Sequence, residues 1–204
     1  MELPFDIFRN KLFLKPHESA EFSFAKKISE KDIFNYKETN FYKLRVGKVD
    51  WEVPGVANLP KGLKNKPPYW VMPWTDKKRK PLTFLDKILK TIEFRKKMNS
   101  FKELFKSINE NGFDNSDGPI KGFLLINEFK EKQFIYTDGN RRLGILAEKC
   151  KREKIKTSSI LITVKVVDTI KRDELLDKMR TLKIDETYNF GDEDAFKWFD
   201  CAFS

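Results

Sequence analysis

The chain has 204 residues, of which 40% are hydrophobic and 14% aromatic, enough apolar surface for one packed domain, or one domain with an N-terminal extension, and too much for a disordered chain. One histidine, His17, and two cysteines, Cys150 and Cys201, exclude a zinc ribbon, a three-histidine metal centre and a disulfide framework. Chemistry is left to carboxylates, Lys and Arg, hydroxyls, backbone amides and a Mg²⁺ held by oxygen ligands.

Forty-one basic and 31 acidic side chains give a net charge of +10, which favours an anionic partner: nucleic acid, nucleotide, phosphorylated metabolite or acidic membrane surface. The charge is uneven. Residues 181 to 204 carry −4, leaving +14 on residues 1 to 180. The start, Met1-Glu2-Leu3-Pro4-Phe5-Asp6, lacks a basic flank followed by an apolar stretch, and no apolar run reaches membrane-spanning length. A cytoplasmic protein with reduced thiols and no membrane span is expected.

In chain order, the first 47 residues read as short strands at Lys11–Leu14, Phe22–Phe24 and Phe41–Val46. Residues 48 to 81 are irregular and proline-rich, and they hold Trp51, Trp70, Trp74 and the basic run Lys77–Lys80. Residues 1–81 are thus expected to pack as an extension on a core formed by 82–204. The spacing of Phe84, Leu85, Ile88, Leu89 and Ile92 predicts an amphipathic helix from Leu82 to about Met98. Ser100 followed by Glu103 reads as a capping box opening a second helix, with Phe101, Leu104, Phe105 and Ile108 on one side. Asn111-Gly112 stops it. Pro119–Ile126 and Gln133–Thr137 form a hairpin, Asn140–Cys150 a helix, and Ser159–Val167 a buried strand. Helices follow at Arg172–Thr181 and Asp192–Ala202. The fold class is α+β, a mixed sheet with helices packed mainly on one side.

The segment Phe134-Ile135-Tyr136-Thr137-Asp138-Gly139-Asn140-Arg141-Arg142-Leu143 carries the chemistry. A strand runs through glycine straight into a helix, so the first free helical amides point beyond the strand end. Arg141 and Arg142 in that first turn oppose the helix dipole, at a few tenths of a kcal/mol each. A bound phosphate would reverse the sign, because amides, dipole and guanidinium would all favour it. Asp138 could offset an arginine or help to hold Mg²⁺ against that phosphate. Spacing alone is equally compatible with a tight turn in which Asp138 pairs with an arginine.

The stretch from Phe101 to Lys149, with a helix ending Ser107-Ile108-Asn109-Glu110-Asn111-Gly112, then Pro119-Ile120, a hairpin and Asp138-Gly139-Asn140-Arg141-Arg142-Leu143, resembles the core of the ParB/sulfiredoxin-like superfamily. Partition proteins of that superfamily place Gly-Glu-Arg-Arg at this turn, and its small kinases place Asp-Gly-x-His-Arg. Here an arginine stands at the histidine position. The resemblance implies a nucleotide site with Gly139, Asn140, Arg141 and Arg142 around the phosphates, and Asp138 in metal binding or catalysis. It implies ATP or ADP, or CTP, with Mg²⁺ as cofactor. No cysteine lies in the turn, which argues against sulfinic acid repair, and the residues after Val167 are too few for a helix-turn-helix and a dimerisation domain. A kinase acting on a small hydroxylated metabolite, a DNA-binding or DNA-cleaving domain, and a non-catalytic nucleotide-gated module remain as readings.

No Gly-x-x-x-x-Gly-Lys-Ser/Thr or Gly-x-Gly-x-x-Gly motif competes, and His17 reads as a surface residue. Phosphoryl transfer needs a carboxylate beside the acceptor hydroxyl. Asp50 and Glu52 flank Trp51 at the point where kinases of the resembled superfamily also carry an acidic residue, so the resemblance implies Glu52 for this role, with an exposed loop acid as the alternative. Lys66–Trp74 reads as a loop packed on its own domain, with base stacking as the alternative. Arg95–Lys97 and Lys149–Lys156 read as charges that complement helix C-termini. The apolar end Trp198–Phe203 is expected to dock on the domain.

Overall fold

The computed structural model describes residues 1–10, 13–31, 34–39, 41–43, 84–114, 118–181 and 191–203. At its centre the apolar run β3 (Ile120–Ile126) turns back into β4 (Lys132–Tyr136), as the sequence predicts, in a register that pairs Leu124 with Phe134 and Phe123 with Ile135. Neighbouring residues in both strands are buried, Leu124 beside Leu125 and Phe134 beside Ile135, so both faces of this hairpin are covered. β5 (Leu161–Lys171) lies parallel to β3 and outruns the expected Ser159–Val167. Gly122 pairs with Val166 and Phe123 with Asp168, so Val167 is squeezed out of the ladder as a bulge and stays 56% exposed.

The N-terminus supplies both edges. β1 (Glu2–Pro4) adds antiparallel to β5 and β2 (Phe8–Arg9) adds parallel to β4, which gives a five-stranded mixed sheet in the order β1-β5-β3-β4-β2. The strands expected nearby are not formed. Phe22–Phe24 belongs to helix α1 (Ala20–Ser29), because Ser19 Oγ accepts the Phe22 amide at 3.1 Å and Phe22, Ala25 and Ile28 recur at helical spacing. Phe13 and Leu14 are in no strand, residues 41–43 are helical, and 11, 12 and 44–46 lie outside the described residues.

Helix α2 (Phe84–Asn111) is continuous through Ser100, where the sequence suggests a break. Its buried stripe, Phe94, Met98, Phe101, Phe105 and Ile108, alternates steps of four and three residues, so a single helix buries it without interruption. The capping-box pattern loses to this packing. Leu89 and Ile92, read as part of an apolar face, are 57% and 63% exposed because they are out of phase with that stripe. Arg95–Lys97 consequently lie inside the helix and not at its C-terminus. The stop is as expected: Gly112 has φ +85°, and its amide donates to Ile108 O at 3.1 Å.

Helix α3 (Asn140–Glu153) and α1 cover one face of the sheet through Leu143, Leu146 and Phe22, packed on Leu124, Phe134 and Ile162. α4 (Leu175–Thr181) and α5 (Asp192–Asp200) cover the other face through Met179, Trp198 and Phe199, packed on Leu125, Ile135 and Ile170. Helices therefore stand on both faces, which modifies the one-sided arrangement expected. The apolar C-terminal segment docks, with Trp198, Phe199 and Ala202 fully buried. Behind α1 and α3, an aromatic layer of Phe24, Phe41, Phe94 and Phe101 fastens α2, with Phe24 edge-on to Phe101 at 5.1 Å. The chain is α+β, and no helix among the described residues is long and apolar enough to cross a membrane.

Candidate functional site

The turn from β4 to α3 is held by a short main-chain extension of the sheet. The Thr137 amide donates to Lys121 O at 2.8 Å, and Asp138 Oδ1 accepts from the Lys121 amide at 2.9 Å. Both backbone groups of Lys121 are thus taken by residues 137 and 138, which fixes where the chain leaves the sheet. Gly139 follows with φ +75°, a left-handed conformation that strains any other L-residue, and a Cβ there would lie 2.3 Å from Ile120 Cδ1.

Helix α3 starts on this glycine without a side-chain cap and without an acidic residue in its first turn. Its first internal bond runs from the Leu143 amide to Gly139 O at 3.0 Å, so the helix itself does not consume the amides of Asn140, Arg141 and Arg142. The two arginines diverge. Arg142 Nη1 donates to Gly118 O at 2.7 Å, tying the helix start to the entry of β3. Arg141 Nη1 donates to Ser100 Oγ at 3.2 Å, tying it to the middle of α2. These anchors offset part of the dipole penalty that the arginines would otherwise carry.

Among the described residues, the partner of Asp138 is the Lys121 amide and not an arginine side chain, so the tight turn is real but is closed differently from the sequence expectation. Asp138, Gly139, Asn140, Arg141 and Arg142 are all partly accessible to solvent. A guanidinium has five N–H donors, and a single bond to Gly118 leaves Arg142 able to grip an oxyanion as well. Chemically the turn offers amide donors, a helix dipole and guanidinium donors to one acceptor-rich ligand.

The opposite end of α3 is clamped too. Lys149 Nζ donates to Ile108 O and Asn109 O, both at 3.0 Å, and so caps the C-terminus of α2 rather than that of its own helix. Lys151 and Arg152 do sit in the last turn of α3, where the dipole favours them. Cys150 on α3 is buried and unbridged, and burial pushes its thiol up to about 11, which leaves little thiolate at neutral pH.

For a Mg²⁺ ion, the residues present meet only the least demanding arrangement. No group of three or more His, Cys, Asp or Glu among the described residues is placed to hold a metal. Asp138 Oδ2 can supply one ligand, which suffices for an ion bound mainly through phosphate oxygens and water. Glu52, Trp51, the Lys66–Trp74 cluster and the Lys77–Lys80 run lie outside the described residues. Sequence reasoning missed Ser100, Gly118 and Lys121, whose links to the turn span 41, 24 and 17 residues and leave no trace in any local pattern. No protein-family model, no curated protein and no solved structure matches this chain.

Proposed function

We propose that the turn Asp138–Arg142 binds the phosphate groups of a nucleotide, and that the protein is an ATP- or ADP-dependent phosphotransferase acting on a small hydroxylated metabolite. The observation that carries the reading is the start of α3: an uncapped helix N-terminus on a left-handed glycine, with no acid and two arginines in its first turn. The likeness of Asp138-Gly139-Asn140-Arg141-Arg142 to the ParB/sulfiredoxin-like turn supports a nucleotide over a simple oxyanion. Transfer makes a further demand, a carboxylate for the acceptor hydroxyl, and Asp138 and Glu52 are the candidates.

Calorimetric titration of the full chain with ATP, ADP and CTP, each with Mg²⁺, tests binding. Saturable binding of one of them, weakened about tenfold or more in Arg142→Ala, is expected. No binding by any of the three, or equal binding by the variant, would refute the proposal. Product formation from ATP with hydroxylated acceptors separates a kinase from a non-catalytic nucleotide-gated module.

A second reading, DNA binding, is favoured by Lys121 and Lys165, which are exposed and directly paired across β3 and β5 beside this turn. Like charges opposite each other in a sheet repel, and a phosphate backbone would relieve them. That reading requires duplex affinity that falls steeply between about 50 and 200 mM salt.

A further inference from the structure

β5 is rich in β-branched residues, with Ile162, Thr163, Val164, Val166, Val167, Thr169 and Ile170 along its length, a composition that favours the addition of a further strand. β1 covers its outer side only at Leu161–Thr163, with the Val164 amide reaching Met1 O at 2.8 Å. Beyond Val164, no strand among the described residues pairs with that side. The other edge strand, β2, spans two residues and offers little to pair with.

The ladder decides which backbone groups are left on the outer side of β5. The Arg172 amide donates to Ile126 O at 3.1 Å, so the main chain at Arg172 turns towards β3, as it does two and four residues earlier at Ile170 and Asp168. Val164 turns the other way, towards β1, and the bulge at Val167 reconciles the two phases. Val166, Thr169 and Lys171 therefore present their main chain outwards. The Lys171 carbonyl accepts the Glu174 amide at 3.1 Å. The Thr169 amide is taken by a side chain: it donates to Asp168 Oδ1 at 2.8 Å, while Asp168 Oδ2 accepts from Lys178 Nζ on α4.

Open strand edges recruit other strands, and folded proteins blunt them with bulges, charges and side chains that occupy the edge. All three devices meet on this stretch of β5: the bulge at exposed Val167, the exposed Lys165 and Lys171, and the Asp168 carboxylate on the Thr169 amide. An antiparallel pairing of two such edges centred on Asp168 would set Lys165 of one copy against Lys171 of the other, and like charges facing each other across a ladder repel. Lys171 is already paired with Glu174 at 2.7 Å, which softens that repulsion and leaves Asp168 as the principal block.

We propose that the Val166–Lys171 edge of β5 is a latent self-association surface, whose partner is the same edge of a second copy of this chain, and that Asp168 keeps it closed by occupying the Thr169 amide. A pairing strand must itself be extended and open on one side, and a second copy supplies such an edge, meeting the first about a two-fold axis that closes the assembly at a dimer. The inference does not depend on the nucleotide reading.

Sedimentation velocity on the full chain over a range of concentrations is the test. Asp168→Ala leaves the Thr169 amide bare and should self-associate about tenfold or more tightly than the native chain. Asp168→Asn keeps an acceptor for that amide and should match the native chain. Adding Thr169→Pro to Asp168→Ala removes the donor itself and costs no ladder bond, because that amide points away from β3, so association should return to the native level. If Asp168→Ala fails to fold, Asp168→Val, better suited to a strand, decides by the same readouts. An Asp168→Ala chain no more associated than the native one, association that survives the proline, or equal association in Asp168→Asn would overturn the proposal.

Discussion

Gly144 of α3 packs directly against the backbone of α1, and its replacement by alanine sets two effects of opposite sign against each other. A Cβ at residue 144 would lie 2.6 Å from Glu21 Cβ, 2.8 Å from the Phe22 amide nitrogen and 3.0 Å from Glu21 C. Two of those three atoms are backbone and cannot rotate away, so α1 as a whole must shift from α3. Such overpacking costs about 3 kcal/mol when the neighbours cannot relax. Alanine in a helix interior returns about 1 kcal/mol relative to glycine. The clash wins by about 2 kcal/mol, and at roughly 2–4 °C per kcal/mol for a domain of this size Gly144→Ala should lower Tm by roughly 4–8 °C. Thermal unfolding followed by far-UV circular dichroism measures it. An unchanged or higher Tm would mean that helix propensity prevails, and the close approach of α1 to α3 would be wrong.

Asp138→Asn and Asp138→Ala separate a structural role from a chemical one. Asparagine retains an acceptor for the Lys121 amide, so its Tm should stay within a few degrees of the parent, whereas alanine should lose about 1 kcal/mol of stability. If Asp138 also holds Mg²⁺, both variants lose Mg²⁺-dependent nucleotide affinity alike, and loss in alanine alone would assign Asp138 to the turn. Cys150 supplies a pH test. Because burial raises its thiol to about 11 from about 9, the folded chain holds this proton more tightly. The stabilisation it contributes is complete below pH 9 and is lost as pH rises towards 11. Cys150→Ala should therefore flatten the alkaline fall in Tm, and native Cys150 should resist alkylation at pH 8; rapid labelling there would contradict the burial.

Local signals determined much of this protein. The hairpin at Ile120–Tyr136, the glycine between β4 and α3, the stop at Gly112 and the docking of the Trp198–Phe203 segment follow from apolar periodicity and from the φ that glycine alone adopts easily. So does the concentration of donors at Asn140–Arg142, since a helix start is unsaturated wherever it occurs. Tertiary structure decided what neighbours in space impose. The heptad-like stripe through Phe94, Phe101 and Ile108 overrides the capping box at Ser100, and Phe22–Phe24 becomes helix. The first nine residues, too short to announce themselves as strands, close both edges of the sheet because β4 and β5 present unpaired backbone there. Likewise the charge of +10 identified no single site. Folding sorts it, placing Arg141 on Ser100, Arg142 on Gly118 and Lys149 on the end of α2, and burying Arg9 in the edge strand β2 with its guanidinium on the backbone oxygens of Asp6 and Phe8. A charge's partner is set by distance in space, and that distance exists only once the chain has folded.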